Sequence, residues 1–322
     1  MKVTSMPASA GRTVVRWWLS PVALARIAVL RAALYLFTIW DVFVLTHDVI
    51  GHGYSRELYQ PTLIGRVLPL PEPTPTGGYV MQWTLVVTCL ATPALMACAA
   101  RPLQWAGRVT GWVAGVVFLA WMENSQGFAY VSHDHMALVL ALLLLPTVPP
   151  AQFTDQTPSE AAGWAIRCLQ IAVVMTYFGS ALQKIVRTGG LFAWPNSSVI
   201  VWSLLRRGRS VVSWSTDYPG LLKVGQWILF IAELASPVAL WLRGRLLYLA
   251  VALVCVFHLI TYVALGIHFL PTVICWLAFL PLERLVPLAR RTLRLDPPLG
   301  SEGVDGALED SGVVPSAAAE LR

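Results

Sequence analysis

The chain has 322 residues, 57% of them hydrophobic and only 12% charged, with a mean hydropathy of +0.64. Soluble domains carry about 25% charged residues, so this composition excludes an ordinary water-soluble fold and points to an integral membrane protein with the lipid bilayer as solvent. The net charge of +6 is a composite: residues 296–322 hold six acidic residues against Arg322 alone, leaving +11 (22 basic, 11 acidic) on the rest.

Residues 1–20, with Lys2, Arg12 and Arg16, read as a basic cytoplasmic segment. The apolar stretch from Pro21 to Leu45 is too long for the apolar core of a signal peptide and lacks a small-residue cleavage site, so it is expected to remain as the first membrane helix. A span needs about 20 mostly apolar residues. Eight are placed, near 21–45, 80–100, 109–129, 135–150, 162–184, 224–242, 246–265 and 268–285. The fourth is short and ends in Pro146, Pro149 and Pro150, while Pro271 and Pro281 interrupt the last. The expected fold class is therefore all-α, a polytopic membrane bundle of about eight transmembrane helices over residues 21–295. Residues 296–322, rich in Pro, Gly, Ser and Ala, read as a disordered acidic tail.

Lys and Arg in short loops set the orientation. Arg101 and Arg108, the turn with Arg243 and Arg245, and the flank from Arg284 to Arg294 fall on the side of the basic N-terminus. Eight spans in the cell membrane with both termini cytoplasmic satisfy all of these. The exception is the connection 185–223, with Arg187, Arg206, Arg207, Arg209 and Lys223, which this count places outside. Its VIVWSLL stretch reads as an interfacial or re-entrant helix. Basic residues grouped at segment ends are topology determinants and lipid-headgroup contacts, so no nucleic-acid partner is expected. The five cysteines all lie in apolar segments without a CxxC and read as small hydrophobes.

All six histidines fall in the outer half or in outer loops under this threading, which suggests a polar site open to that face. Ionisable side chains within a membrane are costly and mark functional sites by default. His133-Asp134-His135 precedes the fourth helix without the spacing of a zinc signature, so no metal is expected. Its simplest reading is a turn, with Asp134 at the helix N-terminal dipole. Lys184 closes WAIRCLQIAVVMTYFGSALQK after the small residues Gly179, Ser180 and Ala181. Two readings stand for it: an ammonium snorkelling to the interface, or a desolvated amine serving as a base. Glu233 and His258 lie near the middle of their segments and are expected to form an interhelical pair, structural or catalytic, with Arg26 and Arg31 as other partners for Glu233. No P-loop, GxGxxG or GxSxG motif occurs in a fitting context.

Four stretches resemble a known family: LARIAVLRAALYLFTIWD at 24–41, HDHMALVLALLLLP at 133–146, TYFGSALQKI at 176–185 with Trp194 downstream, and ELASPVALWL through VFHLITYVALGIHFLP at 233–271. In order and spacing they resemble the horizontally transferred transmembrane (HTTM) domain family. That family includes the membrane part of vitamin K-dependent gamma-carboxylase and the bacterial sporulation-delaying protein B group. The resemblance implies a bacterial membrane protein in which Lys184 deprotonates a quinol of vitamin K type. It gives His135, with His133 as the register alternative, a supporting place beside the resulting oxyanion. Gln183-Lys184 departs from the carboxylase's Lys-Lys pair, and the carboxylase's large extramembrane region has no counterpart, so propeptide-directed carboxylation is not expected. Three function classes follow: a quinone-linked membrane enzyme with Lys184, His135, His258 and Glu233; a non-catalytic protein assisting export, maturation or immunity for a small secreted peptide; and a transporter with Glu233 and His258 as a proton relay. Against the last, no interrupted helices occupy matching halves of the chain.

Overall fold

The computed structural model describes residues 8–128 and 133–286. The acidic tail expected at 296–322 lies outside them, as do the first seven residues of the expected N-terminal segment. Residues up to Glu283 form one compact unit, the one described below.

The rest of the expected N-terminal segment contains a helix, α1 (Ala8–Trp18), which stacks Trp17 on Trp241 beneath the Arg167 guanidinium. The remaining helices are α2 (Leu24–Val44), α3 (Val49–His52), α4 (Leu63–Val67), α5 (Pro75–Met96), α6 (Arg101–Gln126), α7 (Met136–Leu144), α8 (Glu160–Thr188), α9 (Ser198–Arg207), α10 (Pro219–Ala235), α11 (Gly244–Leu265) and α12 (Leu270–Cys275). The protein is an all-α membrane bundle. Six of its helical stretches are long and apolar enough to cross a bilayer: Leu24–Val44, Pro75–Met96, Arg101–Gln126, Glu160–Thr188, Pro219–Leu240 and Gly244–Leu265. The fourth and eighth expected spans are shorter apolar stretches, His133–Thr147 and Leu270–Phe279. Fifteen helical residues rise about 22 Å, less than the roughly 30 Å hydrocarbon core. Prolines mark these limits: Pro146 lies in the 3₁₀ ending of the first, and the second has Pro271 in its first turn and Pro281 just past its end.

Local chemistry sets the helix ends. The Thr74 hydroxyl caps α5 by accepting from Gly77 N, with Pro75 in the first turn, and the Ser159 hydroxyl caps α8 from Ala162 N. Gly189 and Gly266 end α8 and α11 in the left-handed conformation, where a side chain would be strained. A two-residue antiparallel bridge, Val22–Ala23 with Pro158–Ser159, ties the start of α2 to that of α8. Beside it, a Cβ on Gly163 would meet the Ser20 carbonyl at 2.0 Å, so only glycine admits this approach.

The core lies where α2 packs among α5, α7 and α8, with α6 covering α5 and α7. Several of its buried polar groups find backbone partners across helices, as a lipid environment favours. Arg31 donates from Nη2 to the Leu145 and Val148 carbonyls, 3.1 and 3.4 Å away, at the broken C-terminal end of α7. A cation there also complements the helix dipole. Arg26 Nη2 and Gln170 Nε2 converge on the Ala278 carbonyl at 2.9 and 3.0 Å. At the other end of the bundle, the Glu123 carboxylate accepts from Thr62 N and Thr62 Oγ1, both at 2.6 Å, which holds the α3–α4 connection against α6.

α10 and α11 are different. Large apolar side chains such as Leu221, Ile228, Leu253, Leu259 and Ile260 are exposed along them, and His258 is the one buried residue of α11. α9, the VIVWSLL stretch, is a ten-residue helix with Trp202 and Leu205 exposed. Its basic end is held by aromatic contacts: Arg206 lies over the Trp202 ring, and Arg209 over Tyr262 of α11.

Candidate functional site

Tyr177, Ser180, Ala181 and Lys184 are spaced i, i+3, i+4 and i+7 on α8, so one stripe of the helix presents them together. Lys184 forms an ion pair with Glu233 of α10, and its ammonium lies 4.3 Å above the centre of the Trp194 ring. Both partners are partly buried, with side chains 20% and 13% exposed. Two turns back, the Tyr177 hydroxyl lies 2.7 Å from Nε2 of His258 on α11 and receives a hydrogen bond from Trp276 Nε1 at 3.2 Å.

Three adjoining cavities meet at these residues. The smallest, about 210 Å³, is lined by Tyr177, Lys184, Glu233, His258, His133 and Thr272, with Phe257 and Phe269 among its walls. A second, about 690 Å³, runs between α9, α10 and α11 and is lined mainly by Val, Leu, Ile and Phe side chains. A third, about 790 Å³, opens along α8 past Gly179, Ser180 and Thr188. Lys184 lines all three.

Among the expected site residues, the structure thus brings Lys184, Glu233 and His258 to one small cavity, together with His133. His135 is elsewhere. It is 2% exposed and packed into the bundle, with Nε2 3.1 Å from Asp41 Oδ2 and Nδ1 3.2 Å from Asp134 Oδ1. Acceptors on both sides call for an N–H on each ring nitrogen. Asp41 also faces the Thr46 hydroxyl at 3.3 Å, which in turn accepts from Trp121 Nε1 at 2.8 Å. The register alternative separates the two histidines physically. They are two residues apart in one 3₁₀ turn, so their side chains leave on different faces. Of the pair, His133 lines the cavity. The two layers still touch, because Thr272, a cavity residue, donates its hydroxyl to the Asp134 carbonyl at 2.7 Å.

The expected pair of Glu233 with His258 is not formed. Glu233 takes Lys184 and His258 takes Tyr177, two residues of α8 seven positions apart. Arg26 and Arg31 are likewise spent on backbone carbonyls. Among the described residues, no group of three or more His, Cys, Asp or Glu side chains is arranged to hold a metal ion.

The chain matches no family model, curated protein or solved structure. Its likeness to the HTTM family rests on the sequence stretches alone. What the geometry offers is an ion pair and a histidine in a small polar chamber, opening beside a larger apolar one. Thr272 lines this chamber, and Trp276 supports it through Tyr177, without any motif to mark them; Phe269, also in its wall, falls within the 233–271 stretch but carried no signal of its own. Asp41 carried a weak signal, as the one acid in the sequence of α2.

Proposed function

We propose that the protein is a quinone-linked membrane enzyme that takes a quinol-type amphiphile from the outer leaflet of a cell membrane. The observation that carries this reading is the position of Lys184 as a wall shared by a small polar chamber and two larger cavities. A polar ring fits the 210 Å³ chamber, and an isoprenoid tail fits the apolar 690 Å³ cavity that adjoins it. The HTTM resemblance, with Lys184 in the place of the base, points the same way.

In this reading the ion pair relays a proton. The Lys184 ammonium passes a proton to the Glu233 carboxylate. The neutral amine then takes the proton of the quinol hydroxyl. The product is an oxyanion beside a re-formed ammonium, with the displaced proton on Glu233. The charge that appears on oxygen thus appears next to a fixed cation in a low-dielectric site. His135 stands behind the chamber, where its contacts with Asp134 brace the turn carrying His133.

The topology that accompanies this reading has eight passes, the two short stretches included, with both termini cytoplasmic. The basic turns at Arg101–Arg108 and Arg243–Arg245 then share the inner side with α1, and α9 lies at the outer interface.

The test is oxygen-dependent turnover of a menaquinol with one isoprene unit by the full-length protein in nanodiscs. Loss of a positioned base lowers such rates by about 10²–10⁴-fold, and Lys184→Ala should fall in that range. Unchanged turnover in Lys184→Ala refutes the mechanism. No turnover by the intact protein, despite quinol binding, favours the non-catalytic class, in which the protein serves a small secreted peptide.

A further inference from the structure

The quinol reading gives no occupant to the 790 Å³ cavity along α8. Its floor is one stripe of that helix. Ala172, Met175, Gly179, Gln183 and Arg187 follow at intervals of three and four residues, so they share a face. Arg187 stands about 22 Å along the helix axis from Ala172, and the chemistry is graded over that length. Ala172 and Met175 make the first part apolar, with Met136 and Leu140 of α7 adding to the walls. In the middle, a Cβ on Gly179 would meet nothing within 4 Å, so the groove is open above it. Gln183, Lys184 and Arg187 make the far end polar and cationic. No Asp or Glu is among the residues that line it.

The cation at this end is uncommitted. Lys184 is paired with Glu233, but Arg187 and Gln183 are exposed and make no side-chain hydrogen bond or ion pair among the described residues. α8 has 29 residues, about 43 Å against a hydrocarbon core of roughly 30 Å, so its last turn, with Arg187, lies at headgroup depth. We infer that this groove binds an anionic phospholipid, with the phosphate at Arg187 and Gln183 and one acyl chain laid over Gly179 toward Met175. An arginine at any membrane surface meets headgroups in passing. Here the guanidinium closes an apolar groove that lacks a carboxylate, so one lipid is held at both ends. The planar guanidinium matches two phosphate oxygens at once, and the Gln183 amide adds a donor. Met136 and Met175 are about half exposed, and their flexible thioethers adapt to an alkyl chain. The site does not rest on the quinol reading, whose ring and tail take the other two cavities. Lys184 and Trp194 line both large cavities and form the wall they share.

Native mass spectrometry of the full-length protein, titrated in detergent with dioleoyl phosphatidylglycerol or dioleoyl phosphatidylcholine, reads the number of bound lipids and their affinity. One phosphatidylglycerol should be held about tenfold more tightly than phosphatidylcholine, the equivalent of one charge-assisted contact. Arg187→Gln should abolish that preference. Gly179→Leu should weaken both lipids, because it sets a side chain where the acyl chain lies. Equal affinity of the unsubstituted protein for the two lipids overturns the inference without any variant, so a misfolded variant does not shield it. A preference that survives both substitutions overturns it as well, since the lipid then sits elsewhere. Inorganic phosphate in the same titration separates the two sources of the anion. It should leave phosphatidylglycerol bound; displacement by an equimolar amount would make the groove a site for free phosphate, and the lipid assignment would fall.

Discussion

The two sides of this bundle solve opposite problems. On the side of α2, half of the most apolar stretch of the helix is buried inside the protein; in α11 the share is 6%. The first side is knit together by backbone-directed polar contacts such as those of Arg31 and Tyr35, and by close helix approach at glycine. The second leaves its apolar side chains exposed and encloses cavities instead. In lipid, apolar surface alone gives helices no reason to associate, so tight packing requires small residues and polar contacts. Where those are sparse, a wall remains that an alkyl chain can enter. The comparison explains why the ionisable residues divide as they do, with His135 built into the packed side and Lys184, Glu233 and His258 set at its boundary with the open one.

The contrast can be broken by substitution, and the largest effect is expected at Asp41. Its side chain is fully buried against His135. Breaking a buried pair by removing one partner costs about 3–5 kcal/mol, so Asp41→Ala should lose most of its folded fraction in a thermal-shift measurement in detergent. Survival at the parent temperature would mean that the packed side does not depend on this network. A smaller effect comes from two glycines of the same helix. Overpacking costs about 1–3 kcal/mol, and Gly163→Ala, pressed onto the Ser20 carbonyl, should show it. At Gly179 a Cβ meets nothing within 4 Å. Gly179→Ala should therefore gain up to about 1 kcal/mol from helix propensity. Equal responses of the two variants would erase the distinction between the sides. The smallest effect is expected for Leu253→Ala on α11, where the residue is 60% exposed. A change within about 0.5 kcal/mol is the expectation for such a position. A larger loss would reveal that this face is covered.

The eight apolar segments were legible because hydrophobic length and the placement of proline are properties of neighbouring residues. The α3–α4 connection was not. It is held by Glu123 reaching back to Thr62, a contact 61 residues apart that no local pattern announces. The site was legible in part for the same reason. A lysine, an acid and a histidine inside apolar stretches stand out in one dimension, but which of them meet depends on the depth and rotation at which helices pack. Hence Glu233 was expected opposite His258 and lies instead against Lys184. The His133–His135 ambiguity has a similar origin. A shift of two residues hardly changes a hydropathy pattern, yet it moves a side chain from the chamber into the core.

The Ala278 carbonyl, held by Arg26 from α2 and Gln170 from α8, has a consequence for biogenesis. Arg26 and Ala278 are separated by 252 residues. At a synthesis rate of roughly 5–20 residues per second, the guanidinium waits about 13–50 s for its acceptor to be made. The carbonyl therefore acts as a latch: it is available to Arg26 Nη2 only when the eighth apolar segment is in place, so this contact belongs to the completed bundle rather than to any early helical pair.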